Sequence, residues 1–286
     1  MAGSGATDLE KFRVTNYVVF DLETVPDLTI ARRLLRLDAT IPDDTVRTAI
    51  GQKYARPDQN PRELFLKPLF HRIVCIGAVF AERDHDGPFS VRSIGARHVG
   101  EKDEPKLIGD FLAGLPRDDG GAGPVLVSFN GGGFDLPVLR YRALALGLPV
   151  PGLFHGGRRD YWYRFGRDHI DLCDMLSGFG ASARPSLNEM AALLGVPAKL
   201  DGIDGSEVEA FAEAGRLDDI ANYCLGDVIT SFRLLLRFAL VRGEIDEGLL
   251  AQSEHSLDEA IERQAKHRPS LSTMRQPPSA RHGGPA

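Results

Sequence analysis

The sequence predicts an α/β protein in which a mixed β-sheet carries helices on both faces. Three observations point there. Apolar, β-branched runs at residues 17–20 (YVVF), 71–80 (HRIVCIGAVF) and 125–129 (VLVSF) read as strands, the first and last of them buried on both faces. Strands are grouped early in the chain and helices are interleaved later, the pattern of a sheet covered on both sides. With 286 residues and 43% hydrophobic composition, the chain can bury one substantial core.

Residues 1–14 read as a flexible leader without the apolar region of a signal peptide. The first strand runs into Asp21, Leu22 and Glu23, and Pro26 stops it. Residues 28–66 combine a helical patch (30–37) with polar, proline-bearing sequence and read as an insertion. The strands at 71–80 and 89–94, joined by RDHDG at 83–87, form a hairpin. A helix follows at 102–114, then a loop at 118–123, the strand at 125–129, and a helix over 136–146 closed by Gly147. After an irregular stretch (149–167), residues 170–176 are a short strand or a helix start. Two helices with capping boxes come next, Ser186 with Glu189 and Ser206 with Glu209. The last long helix covers 217–240. The expected organisation is thus a main domain at 15–242, a helical extension at 243–263, and a disordered tail at 264–286 rich in Pro, Ser, Arg, His and Gly.

Charge narrows the function classes. Asp plus Glu number 40 against 34 Lys plus Arg, a formal charge of −6, so bulk positive charge is not available to grip nucleic acid. A polyanionic substrate would need a local basic track and metal ions. Cys75, Cys173 and Cys224 form no CxxC pair and read as reduced core thiols of a cytoplasmic protein rather than a disulfide or zinc framework. No apolar run approaches the ~18 residues of a membrane span.

Carboxylates carry the chemical signal. Residues two apart on a strand share a face, so Asp21 and Glu23 project side by side. Two such groups repel unless a cation or protons neutralise them, although an acidic turn after a core strand is the simpler reading of this pair alone. Asp135 follows a buried strand, Asn130, three glycines and Phe134 (SFNGGGFD), where it is also a favourable first-turn acid. Asn130 can cap that loop or touch substrate. Tyr223 and Asp227 (YCLGD) are four apart on one helical face, a spacing that equally suits a plain hydrogen bond.

Taken in order, DLETVP, HRIVCIG, SFNGGGFDLPVL, HIDLCDML and YCLGDV resemble the DEDD superfamily of 3′–5′ exonucleases, whose fold is ribonuclease H-like. In particular they resemble the predicted 3′–5′ exonucleases related to the exonuclease domain of family B DNA polymerases, over roughly residues 15–242. The resemblance implies that Asp21, Glu23, Asp135 and Asp227 are the metal-binding carboxylates and that Tyr223 orients the attacking water. The histidine variant of the superfamily places its histidine five residues before the last aspartate. Asn222 stands there, so the tyrosine variant (DEDDy) is indicated. One departure is the loop before Phe134, where an arginine is expected and Gly131, Gly132 and Gly133 stand instead.

Such a site implies two Mg²⁺ or Mn²⁺ ions, which suit an all-oxygen donor set. Asp21 is the expected bridging ligand, Glu23 and Asp227 complete the nucleophile-side ion, and Asp135 holds the second. A phenol with an ordinary pKa near 10 is a poor base at neutral pH, which leaves Tyr223 an orienting role. Substrate contacts are sought in Asn130, Phe134 and the arginine–aromatic stretch 156–169, namely Arg158, Arg159, Trp162 and Arg164, a composition suited to single strands. Lys199 is a further phosphate candidate, or a solvated lysine. His169 reads as a structural hydrogen-bonder and Asp171 as support for the site. The expected activity is therefore removal of nucleotides from the 3′ end of single-stranded nucleic acid, DNA before RNA. A 3′–5′ exoribonuclease on short RNA and a non-catalytic nucleic-acid-binding module on the same fold are the alternatives.

Overall fold

The computed structural model describes residues 14–118, 120–153, 159–197 and 205–275. Five strands form one sheet: β1 (Thr15–Pro26), β2 (His71–Arg83), β3 (Phe89–His98), β4 (Val125–Ser128) and β5 (His169–Asp171), in the order β3-β2-β1-β4-β5. β1 pairs antiparallel with β2, and β2 with β3, whereas β4 runs parallel to β1, and β5 to β4. This is the ribonuclease H-like mixed sheet that the sequence predicts.

Alternation along β1 distributes its side chains between two cores. Val18, Phe20 and Leu22 join one core, which is built with α3 (Glu104–Ala113) and α4 (Asp135–Leu146). Val19 and Val25 join the other, under α8 (Leu217–Val241) and α9 (Glu247–Ala265). Asp21 and Glu23 share the parity of Val19 and therefore face α8. Helix α8 packs closely on β2 because Gly77 has no side chain: a Cβ there would lie 2.6 Å from the Cys224 sulfur.

β1 is longer than its apolar run suggests. Its pairing with β2 continues from Asp21↔Gly77 through Pro26↔His71, with a register shift after Glu23. Its pairing with β4 covers only Tyr17–Val19. The two acids thus lie inside β1, past the end of β4, on a strand edge that β4 leaves open. That corrects the expectation of a strand ending at them.

Between β1 and β2 the chain forms α1 (Leu28–Leu35), capped by the Asp27 carboxylate, and α2 (Asp43–Tyr54). The second helix is illegible in a stretch with few apolar residues. Tertiary packing supplies it, because Val46 and Ile50 close a small core with Ala31, Leu66 and Phe70.

Two further expectations are corrected. After β5 comes the short α5 (Leu172–Leu176), and the capping box at Ser186 and Glu189 heads α6 (Leu187–Leu194) as expected. The one at Ser206 does not form: α7 (Val208–Glu213) follows a 3₁₀ turn, and Glu209 binds Arg47 and Arg62 instead. The expected disordered tail is packed as far as the structure describes it. A 3₁₀ turn at Pro269–Met274 buries Leu271 and Met274 completely, and the fully buried Arg233 of α8 donates to the Met274 carbonyl at 2.6 Å and to Glu254 and Asp258 of α9. Among the described residues no helix is long and apolar enough to cross a membrane.

Candidate active site

The centre of the site is the α8-facing side of β1. Ligand atoms of Asp21, Glu23 and Cys224 lie within 4.8 Å of one another. Glu23 is 6% exposed, and its Oε1 is buried without a hydrogen-bond partner. Burial pushes both carboxyls well above the ordinary carboxylate range, and mutual repulsion adds to it: Asp135 and Asp227 act on Asp21, and Asp21 and Asp227 act on Glu23. An orphaned buried oxygen among like charges is the environment a divalent cation relieves, and the donors fit one.

Asp135 reaches the site because three glycines bring the chain sharply from β4 into α4. It is the first residue of α4, 3% exposed, and its Oδ1 accepts the backbone N–H of Leu22 at 3.0 Å. Burial raises its pKa to about 7. From α8 come Tyr223 and Asp227, one helical turn apart. Burial, then the charges of Asp227, Glu23 and Asp21, push the Tyr223 phenol far above its ordinary value. It is a hydrogen-bond donor at any physiological pH, not a base.

Cys224 departs from the plain core thiol read in the sequence. It is buried, and its sulfur also sits 3.6 Å from the Asp21 carbonyl oxygen and 3.8 Å from its Oδ2. Burial pushes this thiol up, so it stays protonated and is a poor ligand for a hard cation.

The glycine loop is held from below. Asp171, at the end of β5, accepts the Asn130 N–H at 2.8 Å on Oδ1 and the Gly132 N–H at 2.9 Å on Oδ2, while the Ser128 hydroxyl accepts the Gly131 N–H at 3.1 Å. The close approach favours glycine most at Gly131, where a Cβ would fall 2.3 Å from the Ser128 hydroxyl, whereas one on Gly132 would crowd Asp171 Oδ2 at 3.1 Å. Asn130 takes a left-handed conformation (φ 66°), which asparagine tolerates. His169 bonds Ser128 at 2.8 Å, the structural role read for it, and burial depresses its pKa to about 4.

The structure therefore brings together Asp21, Glu23, Asp135, Tyr223 and Asp227, with Asn130 and Phe134 lining the same pocket as Asp21 and Asp135. The arginine–aromatic stretch divides. Arg164 stands near the loop, bound bidentately to Asp174 at 2.6 and 2.8 Å. Arg159 goes to the opposite end of the sheet, where it binds the Gly123 carbonyl ahead of β4 and Asp168 ahead of β5. It cannot serve the carboxylates from there. Trp162 packs on the α3–α4 core beneath the Arg140 guanidinium, 4.7 Å from its ring centroid, and is not a wall of the carboxylate pocket. Arg158 and Lys199 lie outside the described residues.

Two contributors escape sequence reasoning. Arg184 donates to the Asn130 side chain at 3.0 Å and to Asp174 at 2.7 Å, which places a guanidinium beside the loop that lacks its expected arginine. Phe65, 70% exposed, packs against Phe134 at a tilt, with ring centroids 5.1 Å apart. Neither has a local pattern, since each acts through distant partners.

Residues 63–276 match the family described as predicted 3′–5′ exonucleases related to the exonuclease domain of PolB. The chain belongs to that family. Asp135, Tyr223 and Asp227 fall within the matched span, whereas Asp21 and Glu23 precede it. A DNA polymerase of Archaeoglobus fulgidus is 26% identical over 137 residues, 46% of this chain and 17% of the polymerase. Among solved structures, the family B DNA polymerase of Pyrobaculum calidifontis is similar with a TM-score of 0.49 at 19% identity, over 88% of this chain and 29% of the polymerase. The PolB-related chain thus spans less than a third of either polymerase.

Proposed function

We propose that this PolB-related exonuclease hydrolyses phosphodiester bonds from the 3′ end of single-stranded nucleic acid, with DNA favoured, using two Mg²⁺ or Mn²⁺ ions. The observation that carries the reading is the Asp21–Glu23–Asp135–Asp227 cluster with its orphaned Glu23 oxygen, on an open strand edge. DNA is favoured because the Archaeoglobus fulgidus relative is a DNA polymerase.

Asp21, Glu23 and Asp227 would hold the ion that activates the attacking water, and Asp21 with Asp135 would help hold the ion that stabilises the leaving oxygen. When bound, the ions lower the pKa of the attacking water and offset charge on the phosphoryl group and the leaving 3′-oxygen. The residues of the chain supply position. Tyr223, held protonated, orients the water through its hydroxyl. Asn130 and Phe134 line the pocket, and Arg164 and Arg184, both anchored on Asp174, offer partly exposed guanidinium groups to phosphates approaching the loop. Three unbridged, buried cysteines suit a reducing, cytoplasmic setting.

The test is degradation of 5′-labelled single-stranded DNA and matched RNA by the purified protein with Mg²⁺, Mn²⁺ or EDTA. The expected result is a metal-dependent ladder shortening from the 3′ end, faster on DNA. A faster ladder on RNA would instead mark an exoribonuclease. Binding without cleavage under every metal would identify a nucleic-acid-binding module.

A further inference from the structure

A buried thiol stands at the carboxylate cluster without a part in the hard-cation reading. Cys224 of α8 is fully buried, and its sulfur and single oxygens of Asp21 and Glu23 all lie within 4.8 Å of one another. Three donors at that spacing can close on one ion. The sulfur is 3.8 Å from Asp21 Oδ2. In a tetrahedral Zn²⁺ site, bonds of about 2.3 Å to sulfur and about 2.1 Å to oxygen give a sulfur–oxygen edge of about 3.6 Å. The pair is therefore spaced for an ion between them. Glu23 adds an oxygen, Oε1, that is buried without a hydrogen-bond partner. Packing keeps the sulfur in place, since a Cβ on Gly77 would lie 2.6 Å from it. Cys75, two residues from Gly77 on the same face of β2 and opposite Glu23 in register, brings a second buried thiol beside the first.

We propose that Cys224, Asp21 and Glu23 form an inhibitory site for a thiophilic divalent cation of the Zn²⁺ class, which displaces Mg²⁺ or Mn²⁺ and stops hydrolysis. Binding follows from the donors themselves, whereas its effect on hydrolysis rests on the nuclease reading. A thiolate beside two carboxylates selects a borderline-soft ion over a hard one. As the sulfur–metal bond forms, the Cys224 S–H bond breaks and its proton leaves to solvent, because a coordinating thiol is deprotonated outright. The three negative donors then face a divalent charge in place of one another. Occupation takes up Asp21 and Glu23, which the ion that activates the attacking water also needs. The two kinds of cation therefore exclude each other, and trace Zn²⁺ would hold the nuclease silent in the presence of Mg²⁺.

The test titrates the reduced, metal-free full chain with Cd²⁺, a Zn²⁺ analogue whose bond to a thiolate gives an ultraviolet charge-transfer band. Wild type should develop the band, and so should Cys173→Ser, whose thiol lies outside the cluster. Cys224→Ser should not, and Glu23→Gln should need at least about 10-fold more Cd²⁺. Excess Mg²⁺ should move the wild-type titration to higher Cd²⁺, which reads the competition without turnover. Where Cys224→Ser fails to melt cooperatively, Cys224→Ala is read in its place, and Glu23→Gln tests the site with the thiol intact. Degradation of single-stranded DNA in fixed Mg²⁺ is then titrated with Zn²⁺, each protein against its own rate without Zn²⁺. The half-inhibiting Zn²⁺ should rise at least about 10-fold in Cys224→Ser. No band in wild type, a band in Cys224→Ser, or an undiminished band in Glu23→Gln, which would mean a site of two thiols, overturns the assignment. So does equal inhibition of wild type and Cys224→Ser, or a Cd²⁺ titration that Mg²⁺ leaves unmoved. Failure of the nuclease reading shows separately, as a wild-type protein that shortens no strand in Mg²⁺ alone, and the spectral arms then decide the site and the competition.

Discussion

The Asp135 carboxylate accepts the backbone N–H of Leu22 at 3.0 Å, at the residue between Asp21 and Glu23. The bond latches the start of α4 to the open edge of β1, so one oxygen serves the fold while the proposed chemistry needs the group ionised. The two roles separate by substitution. Asp135→Asn keeps an acceptor for Leu22 and removes a buried charge, so the variant should be as stable as wild type or more so, yet inactive. Asp135→Ala leaves the Leu22 N–H unsatisfied and should cost roughly 1–3 kcal/mol in urea denaturation. Activity in Asp135→Asn within about 10-fold of wild type, a deficit of roughly 1.4 kcal/mol, would remove this residue from the proposed site.

Glu23 is a buried carboxyl among like groups with one oxygen unpartnered, so its protonation and metal binding should compete. In EDTA, Glu23→Gln should melt above wild type, because one member of a repelling set is gone. Added Mg²⁺ or Mn²⁺ should raise the wild-type Tm, by about 2.7 kcal/mol of stability at 100 times Kd, and should barely move Glu23→Gln. Thermal melts with and without metal read both effects. Equal metal-induced shifts in the two proteins would mean that the ion binds elsewhere.

His169 gives the fold an acid-sensitive joint. Burial holds its folded-state pKa near 4, below the ordinary value near 6.5. Between those values the unfolded chain binds a proton that the folded one excludes. Stability is therefore full above about pH 6.5 and is lost as pH falls towards 4. The raised carboxyls act in the opposite sense, so the comparison is with His169→Gln at matched pH. Between pH 7 and 4.5 wild type should lose roughly 2 kcal/mol more than the variant. Parallel curves would place the imidazole in contact with solvent.

The end of the described chain should behave as core. Truncation after Arg275 keeps Leu271 and Met274 and serves as the reference. Truncation after Arg268 removes both and takes from the fully buried Arg233 its carbonyl acceptor. The loss should be roughly 3–5 kcal/mol. Equal melting of the two truncated proteins would show that the 3₁₀ turn contributes nothing.

These cases mark what could be read from the sequence. The capping box at Ser186 and the glycine closing α4, left-handed at φ 66°, are set by residues within a turn or two of one another, and local sequence is enough to see them. The second capping box looked equivalent and failed, because Arg47 and Arg62, some 150 residues away, hold Glu209 more strongly than a helix end does. A composition-based tail became structure for the same kind of reason, a buried guanidinium with three partners waiting for it.

By itself the sequence determined the elements and the side on which their acids stand. Period two along β1 puts Asp21 and Glu23 on one face, a helix starting at Asp135 puts that acid at its first turn, and a four-residue spacing aligns Tyr223 with Asp227. Only the tertiary structure decided what those groups meet. The early end of β4 opens the strand edge, Gly77 admits α8 and brings Cys224 against Asp21, Arg184 takes the place beside Asn130, and Phe65 is left mostly exposed. Covalent neighbours fix dihedral preferences and periodicity over a few residues. Contacts between residues a hundred apart depend on how whole elements pack.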